Sequence, residues 1–467
     1  MVDGEGNFDD FDWEAPVEKF ENMLETKKNW FFDVDDFELL IDYYLDRGNF
    51  NKAKIALKFA QDQHPTSSCI KLRQAQLLLA QGKLNTALTL LDEVELLEPY
   101  NEELVVLKAS IYSQQKKPDK AIVYLKKALD CNLENVDDIL LDLAFEYESI
   151  KQYEKAIECL HESLSRNPEN EAALYELAYC YDLSDKSNDC IDYYHKFLDE
   201  NPYSFIAWYN LGNAYCKIED FEKSVQAFDY CIIIQENFSS AYFNKANSLM
   251  QLERWLEALD SYHEALLHEQ PQAVTYTYIG ECFEKLERYD EAIFYYKKAI
   301  KLDEQWGDAH LGVGIVKDLQ NNLNEGLAHI NKAIECDPDC ADYWYVYAEA
   351  LKKVEKFEES EQAFLKVLEI EPDNESAYID FIGLFECQAL FSQAILIAEE
   401  ALKLFSTSVE LKYRYAALLF SAGFSKEAIV KLEECLQLDY NSKDFLFEYF
   451  EDAKNIPIIA ELIELYK

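Results

Sequence analysis

The chain has 467 residues, with 90 acidic against 44 basic side chains and a formal charge of −46. That balance disfavours nucleic acid phosphates and anionic membrane surfaces as direct ligands, because they carry the same sign of charge. Hydrophobic residues make up 49% and aromatics 14%, while glycine (12) and proline (10) are scarce, which excludes a largely disordered chain. A single core seldom grows past about 250–300 residues, so the chain is either several domains or a repeat array.

In chain order, residues 1–33 come first, with Phe8, Phe11 and Trp13 set among Asp9, Asp10, Asp12 and Glu14. The expectation is an acidic tail, able to dock on a partner or on the chain's own groove, followed by a short helix near 17–29. The first ten residues lack the positive and apolar regions of a secretory signal. No run of 18 apolar residues is present, so no membrane-spanning helix is expected. The 12 cysteines are scattered singly, without a Cys-x-x-Cys pair, which fits a reducing compartment. The expected location is the cytoplasm.

From residue 34 a period emerges. Prolines stand at 65, 99, 168, 202, 338 and 372, with gaps of 34, 69, 34, 136 and 34, all multiples of 34 once one inserted residue near Val136 is allowed. Taking these prolines as position 32 gives units starting at 34, 68, 102, 137, 171, 205, 239, 273, 307, 341, 375 and 409. In this frame position 20 is Ala, Cys, Ser or Gly in every unit, and position 8 is Ala or Gly except at Ile41 and Ile382. Small residues at two fixed places let two antiparallel helices approach closely, while larger neighbours fill the flanks. Residues 443–467 are apolar on one side, with Pro457 near the start of a last helix, and are expected to cap the array.

The stretch Trp208-Tyr-Asn-Leu-Gly-Asn-Ala-Tyr215, followed by Phe228, resembles the tetratricopeptide repeat signature Trp-x-x-Leu-Gly-x-x-Tyr. The resemblance covers residues 34–442 and implies an all-α, right-handed superhelical solenoid of about twelve helix-turn-helix repeats. Ile41, Ile382, and Lys317 at a position that is usually aromatic, depart from the pattern.

Catalytic signatures are missing: there is no His-Glu-x-x-His, Gly-x-x-x-x-Gly-Lys or Gly-x-Ser-x-Gly. Gly312-Val-Gly314 lies within a predicted helix and lacks the strand-to-helix turn of a phosphate cradle. Cys336, Asp337, Asp339 and Cys340 surround a turn, but Pro338 fills that turn as in other repeats and no histidine adjoins it. His263 and His268 flank a helix end, where packed or solvated rings are commoner than ligands. No catalytic residue, metal or cofactor is expected, and the repeats leave no room for a catalytic domain.

What remains is a binding surface. The resemblance implies that the first helix of each pair lines a concave groove through positions 2, 5, 6, 9, 12 and 13. Positions 5 and 9 read Leu141 and Phe145, Tyr175 and Tyr179, Tyr209 and Asn213, Phe243 and Asn247, then Thr277 and Glu281. Aromatics give way to amides, and Asn210 and Asn244 at position 6 widen the amide group, which is similar to the asparagine ladder of the O-GlcNAc transferase repeats. Amides donate and accept, so they can hold a peptide backbone without reading its sequence. The basic clamp of heat-shock co-chaperones is absent, since Tyr209, Val274 and Tyr278 occupy its places. The expected partner is a basic or apolar protein or peptide segment, held by a scaffold or adaptor. The alternative is a chaperone-like holder of a basic client.

Overall fold

The computed structural model describes residues 13–131 and 135–466, so Phe8 and Phe11 lie outside the described residues. Among the described residues there are 27 α-helices, two short 3₁₀ segments and no strand. The helices group into two compact units, Met1–Glu236 and Asn237–Lys467.

The first unit opens with α1 (Glu14–Thr26). Six helix pairs follow: α2 (Val34–Asp46) with α3 (Phe50–Gln63), α4 (Ser68–Ala80) with α5 (Leu84–Glu95), and α6 (Glu102–Gln114) with α7 (Pro118–Leu129). Then come α8 (Val136–Ser149) with α9 (Tyr153–Arg166), α10 (Glu171–Leu183) with α11 (Ser187–Glu200), and α12 (Phe205–Lys217) with α13 (Phe221–Ile234).

The second unit holds six more: α14 (Ser239–Gln251) with α15 (Trp255–His268), α16 (Ala273–Lys285) with α17 (Tyr289–Leu302), and α18 (Gly307–Leu319) with α19 (Leu323–Cys336). It continues with α20 (Ala341–Lys353) and α21 (Phe357–Ile370), α22 (Glu375–Glu386) and α23 (Phe391–Leu404), and α24 (Val409–Ser421) and α25 (Ser425–Leu438). Short α26 (Asp444–Tyr449) and α27 (Pro457–Leu465) follow, the latter burying Ile459 and Leu462 with Pro457 in its first turn.

Local chemistry explains why the pairs keep their period. Five of the six phased prolines are followed two residues later by a capping side chain, Ser67, Asn101, Asn170, Ser204 or Asn374, and Cys340 after Pro338 is the exception. Asn101, Asn170 and Asn374 accept the third amide of the helix they precede, at 3.0, 3.0 and 2.9 Å. Where the first helix carries a tryptophan, its ring N–H donates to the carbonyl of that proline, Trp208 to Pro202 at 3.0 Å and Trp344 to Pro338 at 2.8 Å. At the corner inside each pair, position 15 is left-handed in all twelve repeats, from Gly48 (φ 65°) through Glu219 (φ 60°) to Gly423 (φ 84°). Nine of the twelve are not glycine, although the turn asks for positive φ.

The two small positions work through a third. Across the pair from position 8 sits position 24, and the two exchange volume. A Cβ built on Gly212 would lie 2.6 Å from the Phe228 ring, and one on Gly280 would lie 2.6 Å from Tyr296. Of the two sites that break the small-residue rule, Ile382 is offset by a small residue at position 24, Ala398, whereas Ile41 is met by Leu57, the residue type that faces alanine in other repeats, all four being buried. The departure at Ile382 therefore keeps the summed volume, and that at Ile41 does not. Lys317 fits for another reason: its ammonium pairs with Glu325 at 3.1 Å.

Helix α1 begins and ends about three residues before the expected span of 17–29. Pro16 is accommodated in its first turn, where backbone N–H groups have no helical acceptor, and left-handed Lys27 (φ 52°) ends it. Val17, Phe20 and Met23 are buried in a cluster with Phe37, Leu40 and Tyr44, and Trp13 stacks on Tyr43 with centroids 4.9 Å apart.

Candidate functional site

The side chains selected from the sequence divide between the two units. Phe145, Tyr175, Tyr179, Tyr209, Asn210 and Asn213 belong to the first, and Phe243, Asn244, Asn247 and Glu281 to the second.

In the first unit, α10 carries Tyr175 and Tyr179 one turn apart, so both project from one face. Helix α12 supplies Tyr209, Asn210, Asn213 and Lys217. These six line a single open cavity of about 270 Å³ together with Asp182. Tyr175 and Tyr209 meet edge to face with centroids 6.4 Å apart. Burial and the neighbouring Tyr209 push the Tyr175 hydroxyl up to about 12. Phe145 stands exposed on α8, as Tyr175 and Tyr179 do on α10, an unusual state for three large rings within two helices.

Asn210 behaves differently from the reading of it as a peptide-binding amide. It is buried, and its Nδ2 donates to the Leu174 carbonyl at 3.0 Å and to the Tyr194 hydroxyl at 3.1 Å. Both amide hydrogens are thereby used between α10, α11 and α12, which makes Asn210 a latch behind the cavity wall. Lys217 closes one end, its ammonium 2.6 Å from Asp182 Oδ1 and 3.6 Å from Asp185.

Carboxyls flank the rings. Burial, and then hydrogen bonding to Glu148 and the charge of that group, raise Glu176 to about 8. Burial, then Asp138 and Glu146, raise Asp142. Glu148, Glu176 and Asp142 were not selected from the sequence, although they occupy positions 12, 6 and 6 of the same frame. The signal was present but submerged, because 90 acidic residues make any one carboxylate unremarkable.

In the second unit, Phe243 packs edge to face on Tyr262 (5.6 Å) and tilted against Tyr278 (5.9 Å). Asn247 Oδ1 accepts the Tyr262 hydroxyl. Glu281 is half-buried, and burial, then Glu284 and Asp308, lift its carboxyl to about 7. Thr277 accepts the Trp306 indole N–H at 3.1 Å. His263 contacts the Tyr295 hydroxyl at 3.1 Å, and His268 stacks on Tyr242. Among the described residues no group of three or more His, Cys, Asp or Glu is arranged to hold a metal ion. Asp337 Oδ1 instead accepts the Asp339 amide at 3.1 Å.

Among the described residues no helix is long and apolar enough to cross a membrane, and all twelve cysteines are free. No curated protein matches the chain in sequence. Similar solved structures include YrrB, described as a tetratricopeptide protein with an unusual peptide-binding site. It is 24% identical, covers 39% of this chain and 95% of its own, and has a TM-score of 0.32. The Cut9–Hcn1 hetero-tetramer of APC/C is 14% identical over 89% of this chain and 93% of its own (TM-score 0.42). MamA is 19% identical over 35% and 95% (TM-score 0.32). Models of the tetratricopeptide repeat match residues 137–170, 172–204, 206–238, 273–305 and 341–374, and the tetratricopeptide repeat-like domain matches 40–146. With more than half of its length matched, the chain belongs to the tetratricopeptide repeat family.

Proposed function

We propose that the chain is a non-enzymatic scaffold or adaptor of the cytoplasm that holds a peptide segment of another protein against the first-helix face of its repeats. The observation that carries the reading is the cavity between α10 and α12, on whose walls Tyr175, Tyr179, Tyr209 and Asn213 converge. Exposed aromatic rings in a recess are the type of anchor that supplies most of the binding energy in protein complexes. The carboxyls beside them, Asp142, Glu148 and Glu176, favour a basic or neutral segment and oppose an acidic one. A peptide array read with purified chain tests this directly. Binding concentrated on basic and aromatic peptides, and lost in a Tyr175→Ala/Tyr179→Ala/Tyr209→Ala chain with unchanged circular dichroism, is the expected result. Equal binding by that variant removes the site.

A second reading, a chaperone-like holder of a basic client, draws on the formal charge of −46. Charge-driven holding weakens steeply as salt shortens the Debye length, whereas anchoring by aromatic rings changes little. Titrations at about 0.05 and 0.5 M salt separate the two readings.

A further inference from the structure

In a chain with twice as many acids as bases, a recess lined by more basic than acidic side chains runs against the trend. It lies in the second unit between α17, α18 and α19, has a volume of about 710 Å³, and is lined by Lys297, Lys301, Glu304, His310, Lys332 and Glu335. Among the described residues, none of the three lysines forms an ion pair, although many lysines elsewhere do, such as Lys108 with Asp92 and Lys353 with Asp318. Glu335 is engaged by Asn331 Nδ2 at 2.8 Å, so it turns part of its charge along its own helix.

The wall of the recess holds a second unusual feature. His310 is 93% buried, and its Nδ1 faces Nδ1 of His329 at 3.4 Å, the rings stacked with centroids 5.7 Å apart. At most one of these two nitrogens donates to the other, and a proton on both is opposed by mutual repulsion. Burial holds both rings below their usual pKa. For His310 the Glu304 backbone opposes this and Lys332 adds to it; for His329, His310, Lys332 and Lys297 add to it and Glu325 opposes. The site therefore sets three lysines against two carboxylates, Glu304 and Glu335, and holds in reserve a ring pair able to take a further proton once an anion arrives.

We propose that this recess binds a phosphate monoester dianion. A phosphoryl group brings a charge of about −1.5 to −2 and three acceptor oxygens, enough to engage ammonium groups from both α17 and α19 at once. A carboxylate brings one charge and two oxygens, which leaves most of the donors unanswered. The phosphate comes either free in solution or carried on a serine or threonine of a partner segment. The recess is separate from the aromatic cavity of the first unit, so its occupancy does not depend on the reading proposed above.

The full chain, at about 0.15 M salt to screen its overall charge, is titrated with inorganic phosphate and, separately, with a neutral-flanked phosphoserine peptide and its serine and glutamate counterparts. The imidazole signals of His310 and His329 are followed by NMR. The expected result is saturable shifts with phosphate or the phosphoserine peptide and none with serine. Tighter binding of the peptide identifies a segment-borne group, and binding of inorganic phosphate alone identifies a free one. A Lys297→Gln/Lys301→Gln/Lys332→Gln chain is expected to bind at least about tenfold more weakly, the effect of one lost charged hydrogen bond. The Arg replacements at the same three sites are expected to retain binding, as is a Lys403→Gln/Lys412→Gln/Lys426→Gln control. No shift with either phosphate source, equal response to the glutamate peptide, or unchanged affinity in the Gln variant overturns the proposal.

Discussion

Two stretches of the first-helix face in the first unit treat their carboxylates in opposite ways. Over α2, α4 and α6, Arg73 takes up the charge: it contacts Glu103, lies 2.8 Å from Asp42 and 3.8 Å from Glu38, and is only 13% exposed. Over α8 and α10 the carboxyls of Glu148 and Glu176 face one another and Asp142 lies beside Asp138 and Glu146, and no ion pair reaches Asp142, Glu148 or Glu176 among the described residues. Lys217, at the end of the neighbouring cavity, is taken by Asp182 and Asp185. One stretch balances its charge within the fold, and the other leaves the balance to whatever binds beside its exposed rings. A net charge says only that a protein is acidic, whereas this contrast says where a basic partner would relieve strain in the fold.

Removing Arg73 should have the largest effect. Arg73→Ala leaves three partly buried carboxyls without their cation and is expected to lower stability by about 3 kcal/mol in urea titrations. Burial already outweighs Arg73 at Asp42, lifting that carboxyl to about 6, so the stretch is balanced but not relaxed. A smaller effect of opposite sign is expected at the other stretch, where Glu176→Gln removes a like-charge contact and stabilises by about 1 kcal/mol at pH 8, the scale of one net hydrogen bond.

The sign of its pH dependence follows from linkage. A carboxyl at 4.5 when unfolded and about 8 when folded binds more protons in the folded chain between those values. Stability is therefore lost as pH rises from about 4.5 to 8. The gain from Glu176→Gln should accordingly shrink toward pH 5, which thermal melts at the two pH values would reveal. Equal gains at both values would mean that Glu148 and Glu176 do not share a proton. Smallest of all is Lys217→Ala, an exposed pair worth less than about 1 kcal/mol. A loss comparable to that of Arg73→Ala would erase the contrast between the stretches.

Much of the architecture was legible because it repeats. A proline two residues before a capping side chain, and a small residue at position 8, recur often enough to set the frame within a residue of the helix starts, from Val34 to Val409. The corners were not legible, because Lys151, Glu219, Glu287 and Ala389 adopt left-handed backbone without glycine to announce it. The roles within the site were only half legible. Tyr175 and Tyr179 stand open as their spacing implies, but Asn210 turns inward, since one step along a helix rotates a side chain by about 100° and here places position 6 against the preceding helix pair. Burial of that kind depends on Tyr194, sixteen residues away, and leaves no mark in the local pattern.

The exchange of volume between positions 8 and 24 has a consequence for anyone who would rebuild this molecule by shuffling its parts. Placing α13 where α23 stands would drive the Phe228 ring into Ile382, and the reverse graft would leave Gly212 facing Ala398 across an empty space of ring size. Moving a first helix together with its own second helix avoids both faults. Between these two repeats the smallest part that can be recombined is the pair, and a chimaera of them joined at the corner inside a repeat should fail where one joined between repeats survives.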